Sequence, residues 1–357
     1  MLDNGAPLAP HLAVGLRECG VVRRIWTFLA FFMVAAGAGG AAPVQPVQPR
    51  IVAVGDLHGD YDVWLDIARA AGLIDRTNHW AGGKTMFVQL GDVPDRGPDS
   101  LKIIRHLMQL QKEAPKAGGK VIALVGNHEA MNMTGDLRYV VAGEYAAFVD
   151  AQSAARRDKV FAANVTAIAR QYRQTDPTLT DAAVRARWMQ ETPLGWVEHM
   201  LAWKPSGEVG RWVERNPAIA SIRGNLFVHG GISSEYSRLP IAEINKRVAT
   251  ALASGDGAPT SIVNDQLGPL WYRGLVAREP GEVRPPIDQE LTTVLNAYGA
   301  RRIVVAHTPQ LSGIGVLQGG RLIRIDTGNS RYYGGTPSYL EIIGDRVVPH
   351  AVARSAK

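Results

Sequence analysis

The amino-acid sequence predicts an α/β fold: two sheets packed as a β-sandwich, flanked by helices, with a helical insertion between the two halves. Three observations predict it. Residues 51–125 alternate short β-branched runs with helix-spaced segments. The second half of the chain returns to short apolar runs separated by further helix-spaced segments. Between them, residues 144–215 change character and are dominated by Ala, Arg, Gln and Trp.

In chain order, residues 51–54 form a short apolar β-branched run, 61–71 have helical spacing, and 85–90 are again strand-like. Residues 101–110 read as a helix and 121–125 as a third buried strand. A β-α-β-α-β beginning implies a parallel sheet covered by helices. In the insertion, 146–157, 160–172 and 181–189 have helical spacing. Residues 226–228 return to strand, 241–252 and 288–298 to helix, and 302–305, 322–325, 339–343 and 346–348 supply further strands, read as a second sheet.

The N-terminal 42 residues stand apart. Arg23 and Arg24 precede an apolar run over residues 25–36 and an Ala36-Gly37-Ala38 site, which together predict a secretory signal peptide. The apolar run is shorter than the ~20 residues that span a bilayer comfortably. The alternative is an uncleaved anchor, which would tether the protein to a membrane through this segment only. The expected location is therefore periplasmic or secreted. Residues 1–20 resemble neither a basic flank nor a domain, so translation is expected to start near Val21 or Val22. A Pro-Gln linker over residues 43–49 leads into a domain expected over residues 50–350.

The only cysteine, Cys19, lies in this leader, so the domain has no disulfide and no thiol nucleophile. Cysteine-based phosphatase chemistry is thereby excluded. A formal charge of +6, of which the leader carries little, suits anionic substrates but is too dispersed for nucleic-acid binding.

The chemistry lies where strands end. Gly55-Asp56-Leu57-His58-Gly59 follows the first strand and Gly91-Asp92-Val93-Pro94-Asp95-Arg96-Gly97 the second. Gly126-Asn127-His128-Glu129 follows the third, and His229-Gly230-Gly231 and Ala306-His307-Thr308-Pro309 follow later ones. Ligands of open α/β sheets bind beyond the carboxyl ends of strands, so all five clusters can converge on one crevice. Taken singly, each has a bland reading: Gly-Asp is often a turn, and a lone strand-end His is more often structural than a ligand. Five in this order are not coincidence. Carboxylates, imidazoles and a carboxamide make a mixed O/N set suited to Mn, Fe, Zn or Ni rather than Ca. Six such groups are natural for two divalent ions, with Asp92 the best candidate to bridge them.

This ordered set, GDxHG, GDxxDRG, GNHE, HGG and a late His, resembles the signature of the phosphoprotein phosphatase branch of the calcineurin-like metallophosphoesterases. The resemblance runs from residue 50 to about residue 349. GNHEAMNMTGDLRYV from Gly126, PLWYR from Pro269 and IDTGNS from Ile325 are similar to the bacterial Shewanella-like phosphatases. The resemblance implies a four-layer αββα fold and a hydrolase. It implies that Asp56, His58 and Asp92 hold a first metal, and Asp92, Asn127, His229 and His307 a second. It also implies His128 as general acid, oriented by Asp95, and Arg96 and Asn127 as phosphate-binding groups. A hydroxide between two cations is a nucleophile near neutral pH. Arg96 stabilises developing phosphoryl charge, and imidazole suits proton donation.

Arg273, where this subgroup has an arginine, is expected to be a second phosphate clamp; the alternative is a surface ion pair. Trp271 beside it reads as core or pocket wall. The SAPNY-type loop of eukaryotic serine/threonine phosphatases is absent, Asp326-Thr327-Gly328-Asn329-Ser330 standing near that position, and the insertion lengthens the gap from GNHE to HGG. Substrate preference therefore does not carry over from those enzymes, although tyrosine-preferring Shewanella-like relatives tilt the expectation towards phosphotyrosine. The Arg/Trp-rich insertion suits a lid or partner surface less well than amphipathic helices with solvated arginines and core tryptophans. The expected activity is phosphomonoester hydrolysis on phosphoproteins or small phosphoesters. The runner-up is dinucleoside polyphosphate hydrolysis, and a silent metal- or phosphate-binding protein is third. Metal identity and oligomeric state are not legible.

Overall fold

Ten short strands and ten helices make up the computed structural model, which describes residues 49–278 and 281–355. The predicted leader and most of the Pro-Gln linker lie outside the described residues. No described helix is long and apolar enough to cross a membrane.

The first sheet begins with β1 (Ile51–Val54), β2 (Met86–Gln89) and β3 (Lys120–Ala123), which pair in parallel. Between them run α1 (Tyr61–Ala70) and α2 (Ser100–Glu113). The Asp60 side chain accepts the Val63 N–H and so caps α1, and its apolar residues Val63, Trp64, Ile67 and Ala68 recur at helical spacing on the buried face. A third helix, α3 (Asn127–Thr134), follows β3 directly and was not foreseen.

In the 144–215 region the helices are α4 (Ala142–Ala146), α5 (Ser153–Thr175), α6 (Asp181–Glu191), α7 (Trp196–Trp203) and α8 (Glu208–Glu214). The helices expected at 146–157 and 160–172 run together from Ser153 as one, α5, because no Gly or Pro interrupts its 23 residues, while 147–152 form a turn after α4. α5 and α6 pack on a cluster of their own, Phe161, Ala169, Tyr172, Val184 and Trp188. α7 and α8 instead give Trp203, Val209, Trp212 and Val213 to the main core. The tryptophans are thus largely core, while Arg156, Arg185 and Arg187 pair at the surface with Asp150 and Glu198, Asp158, and Glu191.

The second sheet has the order β4-β5-β6-β8-β7, from β4 (Ile219–Ile222), β5 (Asn225–Val228), β6 (Arg302–Val305), β7 (Gly315–Leu317) and β8 (Leu322–Arg324). β5, β6 and β8 are parallel, and β4 and β7 antiparallel to their neighbours. Helices α9 (Ile241–Ser254) and α10 (Ile287–Ala297) flank it.

The last two strands correct the sequence reading. β9 (Ser338–Ile343) and β10 (Arg346–Ala351) join the first sheet, in the order β10-β9-β1-β2-β3, and make it mixed rather than parallel. The reason lies in β1, whose four residues are all buried and whose free edge needs a hydrogen-bonding neighbour. β9 supplies it, with Ala53 opposite Leu340 and Ile51 opposite Ile342. β10 takes the outer edge, where Pro349 costs no ladder bond.

Strand alternation then divides the layers. Ile51, Ala53, Val88, Phe227, Val304, Ile323 and Leu340 come from both sheets and form one buried cluster between them. Val52, Val54 and Phe87 belong instead to the larger cluster with Val63, Trp64, Ile104 and Leu107 of the helices. A helix layer, two sheets and a helix layer result.

Phe227→Ala should cost about 3–5 kcal/mol of unfolding free energy in urea, as expected for a fully buried aromatic. Val149→Ala, at an exposed position, should change it by less than about 0.5 kcal/mol. Equal effects would contradict the placement of Phe227 between the sheets.

Candidate metal centre

All five strand-end clusters meet. Asp56 and His58 follow β1, Asp92, Asp95 and Arg96 follow β2, Asn127 and His128 open α3 after β3, His229 follows β5 and His307 follows β6. Asp56, His58, Asp92, Asp95, Asn127, His128, His229 and His307 are all buried.

Asp92 sits in the middle, and its two oxygens face different neighbours. Oδ1 lies 3.2 Å from His229 Nε2 and accepts the His128 N–H at 3.0 Å. Oδ2 lies 3.9 Å from His58 Nε2 and 3.8 Å from His128 Nε2. Asp56 Oδ2 completes the His58 side at 3.7 Å. On the other side, His229 Nε2 lies 2.9 Å from Asn127 Oδ1 and 3.2 Å from His307 Nδ1.

These donors fit cations and do not fit one another. His58 Nδ1 faces the Pro94 carbonyl at 3.1 Å and His229 Nδ1 the Leu90 carbonyl at 2.8 Å, so each ring carries a proton there and turns Nε2 inward as the nitrogen available to a cation. Around His229 Nε2 this brings two nitrogens, a carboxamide oxygen and a carboxylate oxygen together with little proton to share. Such lone-pair crowding is the donor arrangement of a divalent-metal site. His58, Asp92 and His128 form one possible ligand group, and Asp92, His229 and His307 another, with Asp92 common to both.

Electrostatics follow the same division. Burial raises the Asp56 carboxyl well above its ordinary range, and the charges of Asp326 and Asp92 add to this. Burial also disfavours charge on Asp92, but His229, His128 and His58 outweigh it and hold that carboxyl well below its ordinary range. His229 moves up to about 9: burial opposes this, and the Asp92 carboxylate wins. His307 is lowered well below its ordinary value by burial and by His229 and Arg273.

His128 is placed differently from the other imidazoles. Its Nδ1 meets Asp95 Oδ2 at 2.5 Å, and Asn132 Nδ2 donates to the other Asp95 oxygen at 2.9 Å. Burial lowers His128 to about 4 and raises Asp95 to about 7, so the pair shares a proton rather than separating charge. Nε2 is left facing the Asp92 side of the crevice.

Arg96 lies at the mouth. Its guanidinium sits 4.4 Å from the Tyr139 ring, 5.1 Å from Tyr332 and 5.3 Å from Tyr333, and donates to the Tyr332 hydroxyl at 3.3 Å. Its Nε is buried and has no partner among the described residues. His58, Arg96, Arg331 and Tyr332 line a cavity of about 320 Å³ here. The Arg273 carbonyl accepts the Val276 and Ala277 N–H groups, but its guanidinium makes no hydrogen bond or ion pair among the described residues, so the surface-pair alternative is not what the structure has. It lies within the field of Asp92, Asp56 and Tyr333, although burial lowers it. Trp271 is half-buried with its ring 5.6 Å from that of His307, and its Nε1 donates to the Val263 carbonyl. It is pocket wall.

The backbone is strained here. Among the described residues eight that are not glycine have positive φ, and five of these are His58, Asp92, Asp95, Arg96 and His307. Residues not singled out in the sequence hold them in place. The Glu129 carboxylate accepts the N–H groups of Asp92, Val93 and Gly126 at 3.0, 2.8 and 2.8 Å. Glu144 accepts the N–H of Asp95 at 3.1 Å and the hydroxyl of Ser100. Asn329 Nδ2 donates to the Asp56 carbonyl at 3.0 Å, and its Oδ1 accepts from Ser338 N–H. Behind Arg273, the Glu290 carboxylate accepts from Tyr272, Ser234, Arg278 and Arg284. Glu three residues after a helix-opening Gly is a capping signal that could have revealed Glu129 and, after Val141, Glu144. Glu290 and Asn329 leave no such local mark.

Glu129→Ala would strand three buried N–H groups, each costing about 1–3 kcal/mol. Amide hydrogen exchange at Asp92, Val93 and Gly126 should accelerate by about tenfold or more. Unchanged protection would contradict the role given to Glu129.

The calcineurin-like phosphoesterase family model matches residues 49–311. Shewanella-like protein phosphatase 2 of Arabidopsis thaliana is 32% identical over 305 residues, covering 83% of this chain and 75% of the plant protein. Shewanella-like protein phosphatase 1 of Plasmodium berghei is 29% identical over 303 residues, covering 82% and 71%. The crystal structure of a cold-active protein-tyrosine phosphatase from a psychrophilic Shewanella superposes with a TM-score of 0.61 at 26% identity, covering 86% of this chain and 81% of that one. The chain belongs to the calcineurin-like phosphoesterase family and is a metal-dependent phosphatase.

Proposed function

We propose that the protein is a two-metal phosphomonoesterase acting on phosphoproteins, at phosphotyrosine or phosphoserine/threonine, or on small phosphoesters. The observation that carries the reading is the arrangement of Asp92, whose Oδ1 faces the His229 donors and whose Oδ2 faces His58. Asp56, His58 and Asp92 would hold one divalent cation, and Asp92, Asn127, His229 and His307 the other. The mixed donors suit Mn, Fe, Zn or Ni. A bound pair of such ions supplies a nucleophilic water near neutral pH and offsets phosphoryl charge.

The chain's own residues do the rest. Arg96 offers its unpartnered Nε to a phosphate oxygen, with the tyrosines around it fixing the guanidinium plane. Arg273, its guanidinium free of other partners and within the field of Asp92 and Asp56, serves as a second clamp, and the Asn127 carboxamide adds a polar contact. His128 donates a proton from Nε2 to the leaving oxygen while Asp95 holds Nδ1. The names of the relatives, protein phosphatases and a protein-tyrosine phosphatase, support a phosphoprotein substrate and favour phosphotyrosine. The basic pair Arg23–Arg24 before its apolar run supports export, with substrate met in the periplasm or outside the cell.

One assay series tests this reading. Protein stripped of metal and reloaded with Mn, Zn, Fe, Ni or Mg is given phosphotyrosine, phosphoserine and phosphothreonine peptides, p-nitrophenyl phosphate and diadenosine tetraphosphate. Reloading should restore monoester hydrolysis. His128→Asn should slow the phosphoserine peptide about 10²-fold or more but p-nitrophenyl phosphate far less, since that leaving group scarcely needs a proton. Fast cleavage of the dinucleotide with negligible monoesterase activity would overturn the proposal.

A further inference from the structure

We propose that Asp326 is a further carboxylate of the metal centre, serving the ion position held by Asp56 and His58. This rests on the two-metal reading and adds a residue to it. Asp326 directly follows the apolar run of β8 and Ile325, so it stands where the five other clusters stand, at the carboxyl end of a parallel strand. It is fully buried. Its Oδ1 accepts the Gly328 N–H at 3.0 Å, while Oδ2 has no partner among the described residues.

The loop that carries it lies directly on the loop after β1. A Cβ added at Gly55 would stand 2.7 Å from the Ile325 carbonyl oxygen and 3.2 Å from Asp326 Cα, so glycine is what allows the approach. Asn329, three residues on, bonds the Asp56 carbonyl and fixes the contact. Asp326 is therefore held beside Asp56, and the charges that act on it are those of His58, Asp92 and His229.

A buried carboxylate oxygen with neither hydrogen bond nor cation is costly, and a second carboxylate beside it makes the cost larger. Asp56 offers little relief: its Oδ1 accepts the His307 N–H at 3.3 Å and lies 3.9 Å from His229 Nδ1, which is closer to the Leu90 carbonyl at 2.8 Å. No lysine or arginine forms an ion pair with Asp56 or Asp326 among the described residues. A divalent cation at the Asp56–His58 position satisfies both carboxylates at once. Asp326 thus acts as a positioning residue, its charge strengthening the hold on that ion rather than touching substrate.

Asp326→Asn keeps the shape and the Gly328 contact and removes the charge. The metal-free full-length chain and this variant are titrated with Mn²⁺ alone, with far-UV circular dichroism as a check on folding. Wild type should bind two ions. The variant should bind one with affinity within threefold of wild type and the other at least tenfold more weakly. The weakened position should be the one that His58→Asn weakens and His307→Asn spares. Both affinities unchanged, or both equally reduced, would overturn the assignment of Asp326. Fewer than two ions on wild type would instead overturn the two-metal reading beneath it. Should the variant fail to fold, anomalous scattering from Mn²⁺-loaded wild-type crystals decides. Asp326 Oδ2 should lie nearer the His58-side ion and within about 5 Å of it, the reach of one intervening water; a position nearer the His307-side ion would refute the proposal.

Discussion

The structure depends on the crowding of lone-pair donors gathered around Asp92. Two imidazoles give their Nδ1 protons to backbone carbonyls and turn Nε2 towards carboxylate and carboxamide oxygens, where a proton is all that relieves the crowding until a cation replaces it. In a buried crevice this arrangement is unfavourable by itself. It becomes favourable when cations occupy it, which is why the rest of the molecule is organised to keep these groups from moving apart. The two sheets provide that constraint by ending their parallel strands at one place.

Holding the groups there strains the loops. His58, Asp92, Asp95, Arg96 and His307 take left-handed backbone conformations that only surrounding structure can maintain. Three buried side chains supply much of the compensation. Glu129 binds the loop after β2 to the start of α3, Glu144 binds Asp95 to α2 through Ser100, and Asn329 ties the loop after β1 to β9. Each works through backbone N–H or C=O groups, with the Ser100 hydroxyl added at Glu144, rather than through metal or substrate. Next to Arg273 in the chain the anchoring is by side chains instead: the buried Glu290 carboxylate gathers Tyr272, Arg278 and Arg284.

What the sequence made legible has a physical pattern. The strand ends were readable because apolar β-branched runs stop abruptly at Gly-flanked polar residues, and that alone brought Asp56, His58, Asp92, Asn127, His229 and His307 to one crevice. The membership of β9 and β10 was not readable. Strand pairing is a long-range choice, and nothing local in residues 338–351 says that they turn back to cover β1. The continuity of α5 was misjudged where a run of charged residues interrupted the apolar spacing without any helix breaker. At the site, ligand-type residues announced themselves by chemistry, whereas Glu290 reaches Ser234 across 56 positions and Asn329 reaches Asp56 across 273, too far for any local motif. The tyrosines around Arg96 were invisible for the same reason: Tyr139 and Tyr332 meet only in the folded chain.

The two-metal proposal makes Asp92 the carboxylate that would be common to both cations. Electron paramagnetic resonance of the chain loaded with two equivalents of Mn²⁺ tests it most directly, because ions about 3.5–4 Å apart with a shared ligand couple their spins. An exchange-coupled spectrum that Asp92→Asn abolishes is expected. A spectrum of isolated Mn²⁺ ions at full loading would contradict it.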